Sequence, residues 1–295
     1  MSGGHVEGIE DVEAAERAAT AEVARVEAAG RRVAWPIAGG GRMAWRVWGE
    51  GRPLVLLHGG HGSWTHWLRN VEALAARRQV WAPDLPAFGE SDALPGVRDA
   101  DGLWETVGDA IAALVGDSPV DLVGFSFGSM VAGFLAANRP SRVRSLTLVG
   151  APALGLRHAP VPGLVSVRGR SDPIDVRAAH RHNLRVLMLA NDALVDALAL
   201  HVQALNVVRD RLPRRQLAHG DLLRRLQTAW RCPVHGIWGE CDALYADGLI
   251  DRIAGALDGC DLRALQFVAG AGHWVQFERS EAFNALLLAL LDRLE

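Results

Sequence analysis

From Pro53 onward the chain repeats one pattern, a short and almost continuous apolar run followed by a longer segment of helical spacing. The runs are PLVLLHG, QVWAPDL, VDLVGFS, SLTLVGAP, VHGIWGE and LRALQFV, and helical stretches near 66–77, 103–115, 127–138, 247–257 and 281–293 separate most of them. Strands that are apolar on both faces and alternate with helices predict a mostly parallel sheet covered on both sides. Upstream, RRVAWPI and RMAWRVWG alternate apolar and polar residues around Gly39-Gly40-Gly41, the pattern of two antiparallel strands. Those glycines also begin a nominal G-x-G-x-x-A. That motif opens an alternating strand and not a helix, so it predicts a hairpin turn and not a dinucleotide site.

Two intervals break the alternation. Residues 8–29 are rich in alanine and glutamate, with sparse apolar positions at Ile9, Val12, Val23 and Val26, which predicts an N-terminal helical arm over residues 1–30. The arm packs either on its own domain or on a second subunit, and the latter would make a homodimer. From about 152 to 230 the texture is helical again (DALVDALALHVQALNVV), with many arginines and histidines. A connection of that length predicts an inserted helical lid, leaving 31–151 and 231–295 as the core.

Composition narrows the function classes. At 295 residues, 49% hydrophobic and 22% charged, the chain can bury a large core. A formal charge of -3 offers no broad basic face for nucleic acid. No run of 18 apolar residues exists to cross a membrane, and the acidic start MSGGHVEGIEDVEAAE lacks the apolar core of a signal peptide. Cys232, Cys241 and Cys260 have no C-x-x-C spacing, so reduced thiols in a cytoplasm are expected, Cys241 being read as buried and inert. The chain has no lysine, which removes Schiff-base chemistry and a Walker-type phosphate loop. His158, His180, His182, His201 and His219 are scattered without metal-ligand spacing, so neither metal nor cofactor is expected.

Ligands of open α/β sheets bind beyond the carboxyl ends of the strands, and four strand ends here carry reactive or glycine-rich sequence. VDLVG leads into Ser126 within GFSFG, and PLVLL into HGGHGS (58–63). VHGIW leads into GECD, which offers Glu240 and Asp242, and LRALQFV into AGAGHW, which offers His273. A serine hydroxyl is a poor nucleophile near neutrality and needs a base within hydrogen-bond reach. Imidazole, with an unperturbed pKa of about 6.5, can take and return that proton, and a carboxylate can fix its tautomer.

This set, in the chain order serine, acid, histidine, resembles the α/β-hydrolase fold over roughly residues 30–295. DLPAFGESD (84–92) is similar to a glycine-rich turn of that family, with Ala87 in a usual glycine position and Asp84 as a brace of the turn. The resemblance implies Ser126 as nucleophile, His273 as base and Asp242, the second carboxylate of GECD, as the acid. It implies an oxyanion hole made by the backbone amides of Gly60 and Phe127. His58 is read as bracing its turn, and His61, Trp64, Phe125, Gln203 and Trp274 as lining the substrate pocket.

Within the superfamily, HGGHGSWTHW, GHWVQFERSEAFNALLLALL and the segment 182–206 are most similar to meta-cleavage-product hydrolases, which cleave a C–C bond of vinylogous 1,5-diketones. Two positions depart from them. Phe125 replaces the asparagine that precedes the nucleophile, and Gln203 stands where a lid arginine would pair with the substrate carboxylate, leaving Arg181, Arg185 or Arg209 to supply that charge. The expectation is therefore an esterase-like serine hydrolase of a small acyl substrate, with C–C bond hydrolysis as the alternative. A non-hydrolytic ligand receptor on the same fold is the reading from another class.

Overall fold

Each apolar run forms a strand, and in the computed structural model eight strands make one sheet; the structure describes residues 3–156, 163–246 and 248–294. β1 (Arg31–Pro36) and β2 (Arg42–Trp48) form the antiparallel hairpin around the three glycines. β2 pairs antiparallel with β4 (Gln79–Pro83). From β4 the sheet continues in parallel through β3 (Pro53–Leu57), β5 (Val120–Phe125), β6 (Val143–Val149), β7 (Val234–Gly239) and β8 (Leu262–Val268). The order β1-β2-β4-β3-β5-β6-β7-β8 reverses direction at β3. That reversal opens a crevice beyond the carboxyl ends of β3 and β5, so the 58–63 loop and Ser126 emerge side by side.

Every residue of β5 and β7 is buried, as their unbroken apolar sequence requires. β8 departs from the expectation of two covered faces. It has β7 as its one strand neighbour, six of its seven positions are intermediate or exposed, and Phe267 is 38% exposed. An edge strand keeps one face in contact with water, and its apolar run does not reveal which.

The helices pack on both faces of the sheet and in the long insertion. α1 (Gly3–Ala28) precedes β1, α2 (Val71–Ala75) follows β3, and α3 (Trp104–Val115) and α4 (Phe127–Asn138) flank β5. Between β6 and β7 lie α5 (Pro173–Asn183), a π turn at Leu184–Met188, α6 (Ala197–Val208) and α7 (Leu222–Leu226). α8 (Ile253–Ala256), α9 (Val275–Glu278) and α10 (Ser280–Asp292) complete the chain. Asp172 and Asp196 cap α5 and α6 by accepting from the Ile174 and Ala199 amides. Among the described residues, no helix is long and apolar enough to cross a membrane.

α1 packs on its own chain. Val26 is buried, the Trp48 indole donates to its carbonyl at 2.9 Å, and Arg25 pairs with Glu72 at 2.7 Å. Farther along, α1 runs against α6, and Glu16 pairs with Arg177 of α5. One helix thereby ties the hairpin end of the sheet to the β6–β7 insertion.

A buried ion pair holds the turn after β4. Arg46 and Asp84 are 2% and 1% exposed, with 2.9 Å between Nη1 and Oδ2. Asp84 also accepts from the amides of Trp64 and Glu90, each at 2.9 Å, so it braces that turn as its position in DLPAFGESD implied. Glu27 and Glu90 complete the Arg46 shell at 2.8 and 2.9 Å. Removing one partner of such a pair leaves a buried, uncompensated charge, which costs about 3–5 kcal/mol. Asp84→Ala should lower the unfolding free energy by about that amount in a urea titration. Asp109→Ala, which removes the exposed partner of Arg139, should change it by less than about 1 kcal/mol. Equal effects would show that burial does not set the cost.

Candidate active site

Ser126 sits at the turn from β5 into α4 with φ +48° and ψ -117°, a backbone region that costs a non-glycine residue energy. Close packing around it leaves no room for a Cβ at the two flanking glycines. At Gly124 it would lie 2.6 Å from Ser129 Cα, and at Gly128 2.5 Å from the Leu57 and His58 carbonyl oxygens. The turn is held by the Ser126 amide donating to Val149 at 2.8 Å and by the Ser129 hydroxyl donating to Gly124 at 2.5 Å. Its result is a part-buried hydroxyl at the head of α4, whose first amides have no acceptor within the helix.

His273 completes the hydroxyl's surroundings. Its Nε2 is 2.9 Å from Ser126 Oγ, and its Nδ1 is 2.8 Å from Asp242 Oδ2. A carboxylate only accepts, so the proton sits on Nδ1 and Nε2 is left to accept from the serine hydroxyl. Asp242 is 2% exposed, and its second oxygen accepts from the Leu244 amide at 2.9 Å, which fixes the carboxylate plane. Glu240, the other carboxylate of GECD, is exposed. Cys241 between them is exposed as well, contrary to the buried thiol expected there, because the chain turns out to the surface at 240–241 before Asp242 comes back in.

The 58–63 loop lies across from Ser126. His58 braces it, with Nδ1 donating to the Gly59 carbonyl at 2.8 Å and Nε2 accepting from the Leu85 amide at 2.9 Å. Burial pushes the His58 imidazole below its ordinary pKa, so it stays neutral in this role. The Gly59 amide donates to His66 Nδ1 at 3.2 Å, and the next residue, Gly60, lines the cavity beside Ser126 and Phe127.

That cavity, about 160 Å³, is roofed from the β6–β7 insertion by Leu187, Met188, Arg215 and Ala218. It opens into a larger chamber of about 560 Å³ that shares Gly60, His61, Leu187, Met188 and Arg215 with it. Of the expected pocket residues, Phe125 and His61 line the inner cavity, and Phe125 lies against the His273 ring at 5.1 Å between centroids. Gln203 lines the outer chamber.

Trp64 and Trp274 line neither chamber. Trp64, 3% exposed, packs on Trp48 at 5.4 Å under the Arg46 guanidinium. Trp274, fully buried, stacks on Phe277 at 4.0 Å and donates its indole N–H to the His66 carbonyl. Both are anchors of the wall behind the cavity. His158 lies outside the described residues.

Two residues enter the site that the sequence pattern did not single out. Glu278, 5% exposed, accepts from the Gly272 amide at 2.6 Å and from the Ala190 and Asn191 amides at 3.2 and 2.6 Å. It therefore ties the loop that carries His273 to the insertion. Arg215 lines the inner cavity, stands over the Phe88 ring at 5.5 Å and pairs with Asp210. Its Nε is buried and makes no hydrogen bond among the described residues. The arginines expected to bring charge point elsewhere. Arg181 donates to the Val195 carbonyl, Arg185 pairs with Asp192, and Arg209 lies 3.9 Å from Glu90. Their positions on α5, on the π turn and just after α6 do not show in the sequence which way each side chain turns.

Comparison with known proteins gives the same framework. A family model described as the α/β hydrolase fold matches residues 52–280. Among curated relatives, the dihydrolipoyllysine-residue acetyltransferase component of the acetoin cleaving system of Pseudomonas putida is 34% identical over 251 residues. The match takes in 82% of this chain and 64% of that protein, so the chain spans less than two thirds of this relative's length. The 2-hydroxy-6-oxononadienedioate/2-hydroxy-6-oxononatrienedioate hydrolase of Paraburkholderia phymatum is 28% identical over 257 residues, covering 81% of this chain and 87% of the relative. Among solved structures, an esterase from Rhodococcus sp. superposes with a TM-score of 0.72 at 24% identity, over 90% of this chain and 100% of the other. With its sheet order, its strand-end loops and a model match over most of its length, this chain belongs to the α/β hydrolase fold family.

Proposed function

We propose that this chain is a serine hydrolase and that its substrate is a carboxylate-bearing diketone of the meta-cleavage type. The observation that carries the hydrolase reading is the continuous hydrogen-bonded path from Ser126 through His273 to Asp242 at the floor of a cavity. His273 takes the Ser126 proton as the hydroxyl attacks the substrate carbonyl carbon, and Asp242 stabilises the imidazolium that forms. The developing oxyanion is met by the backbone amides of Gly60 and Phe127. Collapse expels the leaving group, to which His273 returns the proton, and water then releases the acyl group by the same steps. The helices between β6 and β7 act as a cap that excludes bulk water from this chemistry.

When the bond broken is C–C, the departing carbon leaves with an electron pair that must be delocalised. A vinylogous diketone accepts it as a dienolate, whereas a simple ketone would not. Support for this substrate comes from the curated hydrolase of a nine-carbon dienedioate and from Arg215, which places a guanidinium at the cavity wall. Arg215 answers the missing lid arginine from another position, and a charge-assisted bond to carboxylate is worth about 1.5–3 kcal/mol. The preference for ester cleavage drawn from Gln203 weakens accordingly. Ester hydrolysis stays as a second reading because Phe125 and the apolar walls at Leu187, Met188 and Leu244 also suit a neutral acyl group.

Ser126→Ala and His273→Ala should each reduce kcat by on the order of 10⁴-fold or more with the circular dichroism spectrum unchanged, and the double variant should be little worse than either. A double variant far below both singles would show that the two do not act as a unit. In a substrate panel, kcat/KM for a ring-fission dienoate should exceed that for p-nitrophenyl esters of any acyl length. The opposite order would establish the ester reading. Arg215→Met should raise KM for the dienoate by roughly 10-fold or more, on the scale of one charge-assisted bond, and move KM for a neutral ester far less. Equal shifts on both substrates would remove Arg215 as the carboxylate's partner.

A further inference from the structure

Asp210 takes no part in the steps above, yet it reaches the nucleophile's neighbourhood from the insertion. It follows α6 by two residues, in a connection to α7 that is otherwise largely at the surface, and its side chain is only 4% exposed. Its Oδ2 accepts from His61 Nδ1 at 2.5 Å and from Arg215 Nη2. Burial alone would raise this carboxyl's pKa, but its bonds to His61 and Arg215 outweigh that and hold it below the ordinary range, so it stays charged.

What Asp210 holds is the residue next to the Gly60 amide. His61 has φ +51°, a conformation a non-glycine residue adopts only when its surroundings over-determine it. Its neighbours Gly59, Gly60 and Gly62 have no side chains with which to anchor the loop. The loop is therefore secured by other side chains, with His58 on the Gly59 carbonyl and Asn206 of α6 accepting from the Ser63 hydroxyl. His66 binds the Gly59 amide from below, and Asp210 binds the His61 ring from above. Gly60 lies between them with Arg215 packed against it; Arg215 Nε would stand 3.1 Å from a Cβ at that position.

We propose that Asp210 is a positioning residue for the oxyanion donor, which by gripping His61 and Arg215 clamps the insertion onto the 58–63 loop and keeps the Gly60 amide aimed into the cavity. This rests on the role given to Gly60 in the proposed function. The clamp makes cap closure and oxyanion alignment one event, since the carboxylate that closes over the cavity also orders the loop beneath it.

The test is hydrogen–deuterium exchange with peptide-level mass spectrometry on the full chain, comparing wild type with Asp210→Ala and His61→Gly. Glycine at 61 removes the ring together with the backbone cost, and Asp210→Ala removes the grip while leaving the sequence of 58–63 unchanged, so a loss common to both reflects the clamp. Both variants should exchange roughly 10-fold faster across 58–63, with peptides from β5 and α4 unchanged. On a neutral p-nitrophenyl ester kcat should fall roughly 10- to 100-fold with KM within about twofold, because misplacement of a catalytic group by about 1 Å costs up to 10²-fold. The double variant should be no worse than the poorer single, and Asp210→Asn, which keeps an acceptor oxygen, should recover part of both signals. Unchanged exchange at 58–63 in both variants would overturn the clamp, as would a kcat loss that merely follows a global fall in Tm. Exchange is read without turnover, so its outcome stands apart from the Ser126 variants that test the function.

Discussion

The site depends on one constrained piece of backbone, the turn at Ser126. A serine at φ +48° is disfavoured by about 1–3 kcal/mol, and it persists because both neighbours are glycines pressed against backbone. Gly124 meets the start of α4, and Gly128 meets the end of β3. The sheet supplies the rest, since β5 is pinned between β3 and β6 and is buried along its whole length. The cost of the turn is offset by core packing elsewhere, and what results is a hydroxyl lifted to the head of a helix, beside unpaired amides and facing an imidazole. Relaxing the turn would drop Ser126 out of reach of His273 while leaving both residues present.

Around that turn the insertion acts as more than a roof. The Trp274 amide donates to the Met188 carbonyl at 2.8 Å, and Glu278 bonds amides on both sides of the seam, at Gly272 and at Ala190 and Asn191. The loop that presents His273 is thus held by the same residues that follow the π turn carrying Leu187 and Met188 over the cavity. π turns often occur at functional sites, and this one carries two of the apolar side chains that line the cavity. α1 adds a second tie by running from the hairpin, at Val26 and Trp48, to α5 and α6. Any motion of the insertion must therefore work against contacts at the His273 loop and at the N-terminal helix.

Much of this was legible in the sequence because the main chemistry is local. Ser126, Asp242 and His273 each follow a strand within a few residues, so an apolar run followed by a short polar motif was enough to place them on one edge of a parallel sheet. Choosing between the two carboxylates of GECD needed the family pattern, and the structure buries Asp242 against His273 and leaves Glu240 exposed. Side-chain facing was not legible. Trp64 and Trp274 sit beside the right loops but turn into the wall behind the cavity, Trp64 onto the sequence-distant Trp48 and Trp274 onto Phe277 three residues along, and apolar spacing does not show which way either ring turns. Arg215, Asp210 and Glu278 were hidden for a related reason. Their relevance comes from how the β6–β7 connection returns over the sheet, and no periodicity records that path. Ala87 is a smaller case, keeping a left-handed φ of +73° where the family uses glycine.

The central claim is that Ser126 is a nucleophile activated by His273. Treatment of the purified chain with a fluorophosphonate, followed by mass spectrometry of the digested protein, tests it most directly because the reagent needs no knowledge of the substrate. One adduct is expected, on the peptide that carries Ser126, absent from Ser126→Ala and formed much more slowly in His273→Ala. Labelling that survives Ser126→Ala, or no labelling of the folded wild-type chain, would contradict it.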